Sequence, residues 1–190
     1  MAETAASRGR EVRRRLVVAA RDLVPERGWA AVSTRTVAER AGVGPGLVHY
    51  HFASLQALLS EAAVGALRDM IEGVAELVRQ AGTPAELVDL IAAAIDGYSG
   101  TDPASLLAVE TYLAATRDPD LRAQLTAVLD EFRGLVAARL RELEVPAPEA
   151  TAAVLAAVID GVLLHRALAP LSAGAVAPVL HRIVRNGGQR

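Results

Sequence analysis

Residues 33–52 read STRTVAERAGVGPGLVHYHF, and their spacing predicts two short helices joined by a tight turn. Ser33 is a natural N-cap for a helix over residues 34–41, because its hydroxyl can accept a backbone N–H of the first turn. Gly42 can adopt the left-handed conformation that ends such a helix. A further helix is predicted from about Pro45 to Phe52, since proline suits a first helical turn. This pattern is typical of a helix-turn-helix.

The apolar residues of this stretch can form one small core with the helix that precedes it, predicted from about residue 10 to residue 26. They are Val37, Ala38, Ala41, Val43, Val48 and Phe52. The other residues then surround an exposed end, and they are Arg35, Thr36, Pro45, Gly46, Leu47, His49, Tyr50 and His51. A recognition helix needs such an end, because its N-terminal residues enter the major groove of DNA. From the pattern alone, a purely structural helical hairpin remains an alternative.

Charge is distributed unevenly along the 190 residues. The net charge is -2, but residues 1–54 hold nine arginines and five acidic residues, whereas the remainder holds eleven arginines and seventeen acidic residues. The basic N-terminal part is therefore the candidate for contact with phosphate. The sequence has no cysteine, which excludes disulfides and thiolate metal sites.

The rest of the chain reads as helical throughout, with no strand pattern. Ser54 is an N-cap candidate for a long amphipathic helix that runs to Gln80, and a short polar residue followed by proline marks later starts at Pro84, Pro103 and Pro119. The later helices are predicted over residues 84–98, 103–116, 119–144, 148–169 and 174–185. We therefore predict an all-α fold of about nine helices, with a disordered leader over 1–9, a helix-turn-helix domain over 10–53 and a helical bundle over 54–190.

No segment comes near the roughly 18 to 20 uninterrupted apolar residues that cross a bilayer. The Arg-rich N-terminus also lacks the apolar centre of a signal peptide. We therefore expect a cytoplasmic protein without a membrane partner.

Residues 10–62 closely resemble the DNA-binding region of the TetR family of bacterial repressors. The resemblance rests on a first helix, ERGW, a Ser-capped helix, AERAGV, a short turn, HYHF and a long helix. It implies that Arg35 reaches a base edge, with guanine as the natural partner of its paired donors, and that Thr34 binds phosphate. It also implies that Tyr50 packs against the first helix with its hydroxyl near the DNA. The other implied DNA contacts are Pro45, Gly46, Leu47, His49 and His51.

The chain departs from the family pattern at the start of the recognition helix. The common Ser-Lys pair is replaced by Gly44 and Pro45, and a lysine often found shortly after the phenylalanine is replaced by Leu55. A side-chain cap and two cations are therefore missing. Our hypothesis is that phosphate affinity depends more on three arginines of the leader and first helix, Arg10, Arg13 and Arg14.

The C-terminal region contains no catalytic constellation. We expect it to enclose a small, largely apolar effector between its helices, where bundles commonly hold ligands. His165 and His181 lack a further ligand at helical spacing, so neither a metal nor a cofactor is expected, and an enzyme is not expected either. Plain core packing is the alternative for each candidate pocket residue. These residues are Met70, Ile95, Tyr98, Leu106, Glu110, Leu113 and Phe132.

A homodimer is expected because residues 151–168 are apolar around much of their helix. Together with the final helix they would form a four-helix interface, with Leu155, Val158, Val162, Val176, Val179, Leu180 and Ile183 as its candidate residues. Two recognition helices would then read a palindromic operator in double-stranded DNA. The predicted function is a repressor released by a small-molecule effector. The alternatives are a regulator of the same fold without such a ligand and a purely structural bundle.

Overall fold

The computed structural model of the chain describes residues 5–169 and 171–186, and these residues form nine α-helices and one 3₁₀ turn, without a strand. The helices are α1 Ala5–Arg27, α2 Thr34–Ala41, α3 Gly46–His51, α4 Leu55–Gln80, α5 Pro84–Asp96, α6 Pro103–Ala115, α7 Pro119–Glu142, α8 Pro148–Arg166 and α9 Ala173–Asn186, and the 3₁₀ turn is Trp29–Ala31. The predicted all-α class is confirmed.

The predicted disordered leader is wrong for residues 5–9, which are the first residues of α1. Residues 1–4 lie outside the described residues. The prediction judged these residues from their small polar character alone. Alanine and arginine are nevertheless strong helix formers, and they continue the helix upstream through Gly9.

Short polar residues begin α5, α6 and α7, as the sequence predicts, whereas α8 follows Ala147 without a side-chain cap. The Thr83 hydroxyl accepts the Glu86 N–H at 3.1 Å, which caps α5. The Asp118 carboxylate accepts the N–H groups of Asp120 and Leu121, both at 3.0 Å, which caps α7. Because each cap and the proline beside it act within one turn, helix starts are fixed by local sequence.

Asp102 caps α6 through a denser set of hydrogen bonds. Its carboxylate accepts the N–H groups of Ser99, Ala104 and Ser105 and the hydroxyl of Ser105, the last at 2.6 Å. Partial burial opposes its ionisation, but the hydrogen bonds from Ser105 and Ser99 outweigh that effect and lower the pKa of Asp102 to about 2. The cap is therefore ionised at neutral pH.

The helices pack into two compact units. The first consists of residues 5–67 and Leu106–Ala123, and the second of Arg68–Ser105 with the described residues from Gln124 onward. The division falls inside α4, α6 and α7, so it does not coincide with the predicted domain boundary after residue 53. Part of α6, which the sequence analysis assigned to the C-terminal bundle, belongs to the first unit.

The first unit is organised around α1. Its buried residues Leu16, Ala20 and Leu23 form one core with Val37 of α2 and Val48 of α3. The predicted small core is thus confirmed, except that Val43 is only half-buried. This core fixes α2 and α3 against α1.

The second unit has a larger core built from α5, α7, α8 and α9, with Ile91, Leu140, Leu155 and Leu180 among its fully buried side chains. Arg166, at the end of α8, donates to the carbonyls of Ile95, Tyr98 and Leu171 at 2.6, 2.8 and 2.6 Å, which satisfies carbonyls at the end of α5.

One helix of this unit, α8, is long and apolar enough to cross a bilayer by length and composition. The sequence did not indicate this helix as a possible span, because Glu149 and Asp160 break its apolar run. Such a helix is weak ground for a membrane span, since packed helices of globular proteins meet the same criterion. Part of α8 is buried in the core of the second unit, through Ala152, Leu155 and Val162.

The turn between α2 and α3 should be sensitive to a side chain at Gly42. Gly42 has φ 64°, and a Cβ there would lie 2.8 Å from Arg15 Nη2. We expect Gly42→Ala to lower the free energy of unfolding by about 1–2 kcal/mol, the cost of a left-handed conformation. Gly65→Ala is the control, because it lies inside α4 with no atom near its Cβ position and should stabilise by up to about 1 kcal/mol. Urea denaturation measures both, and a neutral Gly42→Ala would contradict the prediction.

Candidate nucleic-acid interface

The start of α2 is fixed by a reciprocal cap. The Thr36 N–H donates to the Ser33 hydroxyl at 3.2 Å, and the Ser33 N–H donates to Thr36 Oγ1 at 3.0 Å. The Thr36 hydroxyl also donates to the Ser33 carbonyl at 2.9 Å. The sequence analysis placed Thr36 among the DNA contacts, but its hydroxyl is engaged in the cap. Threonine at the third helical position here does what glutamate or glutamine does in a capping box.

The turn after α2 is held from both sides. The Val43 N–H donates to the Ala38 carbonyl at 3.0 Å and the Gly42 N–H to the Glu39 carbonyl at 3.1 Å, which closes the helix. Arg15 of α1 donates to the Gly42 carbonyl at 3.1 Å and also to the Ala41 carbonyl. The turn that leads into α3 is therefore attached to α1, a contact that sequence reasoning did not find.

Helix α3 turns one side to the core and the other to solvent. Val48 and Phe52 are buried, whereas Tyr50 is 79% exposed and Leu47 is 37% exposed. The predicted packing of Tyr50 against the first helix is therefore wrong. Since a helix turns about 100° per residue, Tyr50 lies roughly opposite Val48 and Phe52. Its ring instead meets the half-buried ring of His51 edge-on, with centroids 4.9 Å apart.

Arg35 projects from α2 with its side chain 83% exposed. Its Nε donates to Glu39 Oε1 at 2.8 Å, one helical turn further on. The hydrogen bond that Arg35 donates to Glu39, and then the negative charge of Glu39, raise the pKa of Arg35, so the guanidinium remains cationic. Glu39 was not identified from the sequence, although its spacing of four from Arg35 is typical of a helical ion pair.

The other predicted contacts lie on α2 and α3 or directly before α3. Pro45, Gly46 and His49 are exposed, and Thr34 is half-buried at the first turn of α2. Together with Arg35, Leu47, Tyr50 and His51, these residues belong to two short helices whose opposite sides fill the core. The arrangement presents one cation, two imidazoles, a phenol and an apolar tip.

Two of the three arginines proposed as phosphate contacts are already paired in the free chain. Arg13 lies over the Phe52 ring, 4.7 Å from its centroid, and donates to Glu61 at 2.5 Å. Arg14 donates to both carboxylate oxygens of Glu11, at 2.9 and 2.7 Å. Arg13 therefore links α1 to the end of α3 and to α4, a structural role that spacing alone did not indicate.

Comparison with known proteins identifies the family. Residues 16–62 match the model of the tetR family of bacterial regulatory proteins, and residues 82–186 match the tetracyclin repressor-like C-terminal domain. The chain belongs to the TetR family of bacterial transcriptional regulators. It is accordingly a DNA-binding regulator with a ligand-binding C-terminal domain.

Individual relatives agree with this assignment. The transcriptional regulator BetI of Agrobacterium fabrum is 31% identical over 172 residues, covering 88% of this chain and 83% of that protein. A putative transcriptional regulator from Streptomyces coelicolor is similar in structure, with TM-score 0.76, 30% identity and coverage of 92% and 98% of the two chains. The multidrug binding protein EbrR, complexed with ethidium, gives TM-score 0.70, 33% identity and coverage of 91% and 98%.

One predicted pocket residue of this TetR-family chain has a contact that the sequence did not indicate. Glu110 of α6 accepts the backbone N–H of Trp29 at 2.7 Å. Trp29 is buried, and its indole N–H donates to Gln56 Oε1 at 3.0 Å. The carboxylate of Glu110 therefore holds the 3₁₀ turn between α1 and α2, next to Gly28 with φ 80°.

The other predicted pocket residues divide between the two units of the regulator. Ile95 and Phe132 are buried in the core of the second unit. Met70 and Tyr98 are half-buried in that unit, and Leu106 is half-buried in the first. Leu113 is 52% exposed, so its predicted inward position is wrong. The residues two positions before and after it, Thr111 and Ala115, are buried, which turns Leu113 outward.

The prediction of a dimer contact is wrong for three residues, Leu155, Val162 and Leu180. They are buried within the chain's own core and are not on its surface. Val179 is exposed, and Val158, Val176 and Ile183 are half-buried. Helix α8 exposes different apolar residues, Val154 and Leu164, and Leu168 is exposed just beyond its end. Among the residues that the structure describes, no three His, Asp or Glu side chains form a group that could hold a metal ion.

Proposed function

We propose that this chain is a cytoplasmic repressor that binds a palindromic operator as a homodimer and leaves it when a small molecule occupies the C-terminal region. The observation that carries the DNA-binding part is the two-sidedness of α3. Val48 of α3 is fully buried, while Leu47, His49 and Tyr50 of the same helix face solvent. A helix held in this way can enter a major groove without unfolding its own support.

In this proposal Arg35 binds a guanine through two of its donors, and Thr34 binds phosphate. His49, Tyr50 and His51 supply further donors at the exposed end of α3, and Pro45, Gly46 and Leu47 lie in the groove. Of the three arginines proposed to supply additional charge, Arg10 is exposed, whereas Arg13 and Arg14 must share their guanidinium groups with Glu61 and Glu11. We therefore expect Arg10 to contribute more to phosphate affinity than the other two.

The homodimer is proposed to form through α8 and α9. Val154 and Leu164 lie on one side of α8, and Gly161 lies between them with no atom near its Cβ position. Leu168 is exposed just beyond the end of the helix. Val179 of α9 is exposed as well. Apolar residues exposed on one helix face are typical of a protein interface. This set replaces the buried part of the predicted interface.

The effector is proposed to be a planar, mostly apolar molecule, since EbrR is complexed with ethidium and proflavin. In the second unit, Met70, Ile95, Tyr98 and Phe132 remain the candidate contacts. Partial burial, and then the charge of Asp102, raise the pKa of Tyr98, so its hydroxyl stays protonated and can donate to a ligand.

DNA binding is tested with the intergenic DNA beside the chain's own gene in a gel-shift assay. Arg35→Ala should weaken binding about 5- to 150-fold for each half-site, since each copy of the chain loses one bidentate base contact. Glu39→Gln should strengthen binding a few-fold, because it frees Arg35 and removes a negative charge near phosphate. Arg79→Ala, which removes an equally charged residue at the end of α4, is the control. If the wild-type protein shifts no such fragment, a structural bundle becomes the better interpretation.

Dimerisation is tested by placing a charge on the exposed side of α8. Leu164→Glu should convert the dimer to a monomer in light scattering after size exclusion and should weaken operator binding, because a buried unpaired charge is costly. Leu113→Glu is the matched control, since Leu113 is exposed to a similar extent on α6. If the Leu164→Glu variant remains a dimer, the dimer interface does not include this side of α8.

Effector binding is tested by titrating the full chain with ethidium in the absence of DNA, which avoids intercalation. Saturable binding at micromolar concentrations is expected by fluorescence, and Tyr98→Ala should weaken it at least about fivefold through loss of ring contact with the cation. Tyr112→Ala, at a half-buried tyrosine of α6, should bind as the wild type does. A regulator without a small ligand of this class predicts no saturable binding.

A further inference from the structure

The tip that leads into α3 carries almost no side-chain hydrogen-bonding capacity. Residues 44–47 are Gly-Pro-Gly-Leu, so neither glycine has a side chain and the proline has no N–H. A Cβ built at Gly44 or Gly46 would meet no atom within 4 Å, which shows open space around this backbone. Leu47 has the only side chain in this segment long enough to reach out, and because it is leucine, its contact with DNA can only be apolar.

Leu47 is exposed although its neighbour Val48 is fully buried. Leucine cannot bind phosphate or a base edge by hydrogen bonds, so its role in a groove is limited to apolar contact. In the major groove of B-DNA, the methyl group on C5 of thymine is the apolar group that distinguishes one base pair from the others. The chemistry of this position thus matches one feature of the DNA surface.

We propose that Leu47 selects thymine in each operator half-site by packing against its C5 methyl group. The inference rests on the proposed function, because it assigns a specificity to the same recognition helix. Arg35, one helix away, reads a base by hydrogen bonds, so the two residues divide the readout between polar and apolar contacts. Burying one methyl group corresponds to about a 3- to 5-fold gain in affinity per half-site.

The experiment starts from the fragment that the wild-type protein shifts, with its half-sites mapped by footprinting. Each thymine is replaced by deoxyuridine, symmetrically in both half-sites, and the dissociation constant is measured by fluorescence anisotropy at fixed salt. Deoxyuridine removes the C5 methyl and leaves the base-pairing edge unchanged. At one position or two adjacent positions we expect a loss of roughly 10- to 25-fold, since both half-sites are altered.

The variant Leu47→Ser should bind the thymine and deoxyuridine fragments equally well at those positions. Leu113→Ser, an exposed leucine on α6, should keep the wild-type preference and is the control. The proposal is overturned if no deoxyuridine substitution weakens wild-type binding, or if Leu47→Ser keeps the same preference. Both results leave the proposed function intact, whereas a wild-type protein that binds no fragment overturns the proposed function together with this inference. The wild-type scan does not depend on the folding of any variant.

Discussion

The recognition region depends on keeping a six-residue helix in place. A helix as short as α3 is not stable on its own in water, because the cost of nucleation exceeds what its few hydrogen bonds return. Its stability comes from burial of Val48 and Phe52 and from two arginines of α1. Arg15 holds the turn before α3, and Arg13 stacks on Phe52 after it. Both ends of α3 are therefore tied to the same long helix, and the exposed residues between them need not contribute to folding.

The parts of the site that depend on local sequence could be predicted, and the parts that depend on packing could not. The bounds of α2 follow from Ser33 and Gly42, because capping acts within one turn of the chain. The orientation of α3 was harder, since six residues give little periodicity, and Tyr50 was placed on the wrong side. The roles of Arg13 and Arg15 could not be found from sequence spacing at all. Their partners are at least 26 residues away along the chain, and only packing brings them together.

The apolar helix α8 shows a different limit. Because it is apolar around most of its circumference, its pattern indicates burial on several sides without saying which side meets which neighbour. Leu155 and Val162 turn into the chain's own core, and Val154 and Leu164 turn away from it. The apolar pattern therefore indicates that α8 is buried, but it does not separate the residues that face the chain's own core from those that are left exposed. The packing of α9 on α5, in which His181 Nε2 lies 2.8 Å from Asp89 Oδ1, could not be predicted from a single sequence either.

Glu110 connects α6 to the turn that precedes α2. It lies on α6, a helix that the sequence analysis assigned to ligand binding, yet its carboxylate accepts the N–H of Trp29 just before α2. A partly buried hydrogen bond to a charged group is among the stronger polar contacts in a protein, and a buried N–H left without a partner is costly. Trp29 has little freedom to compensate, because its indole N–H donates to Gln56 and the preceding Gly28 adopts φ 80°. A shift of α6 would therefore either move the 3₁₀ turn with it or leave that N–H unpaired, and in both cases the start of α2, which carries Arg35, is affected first.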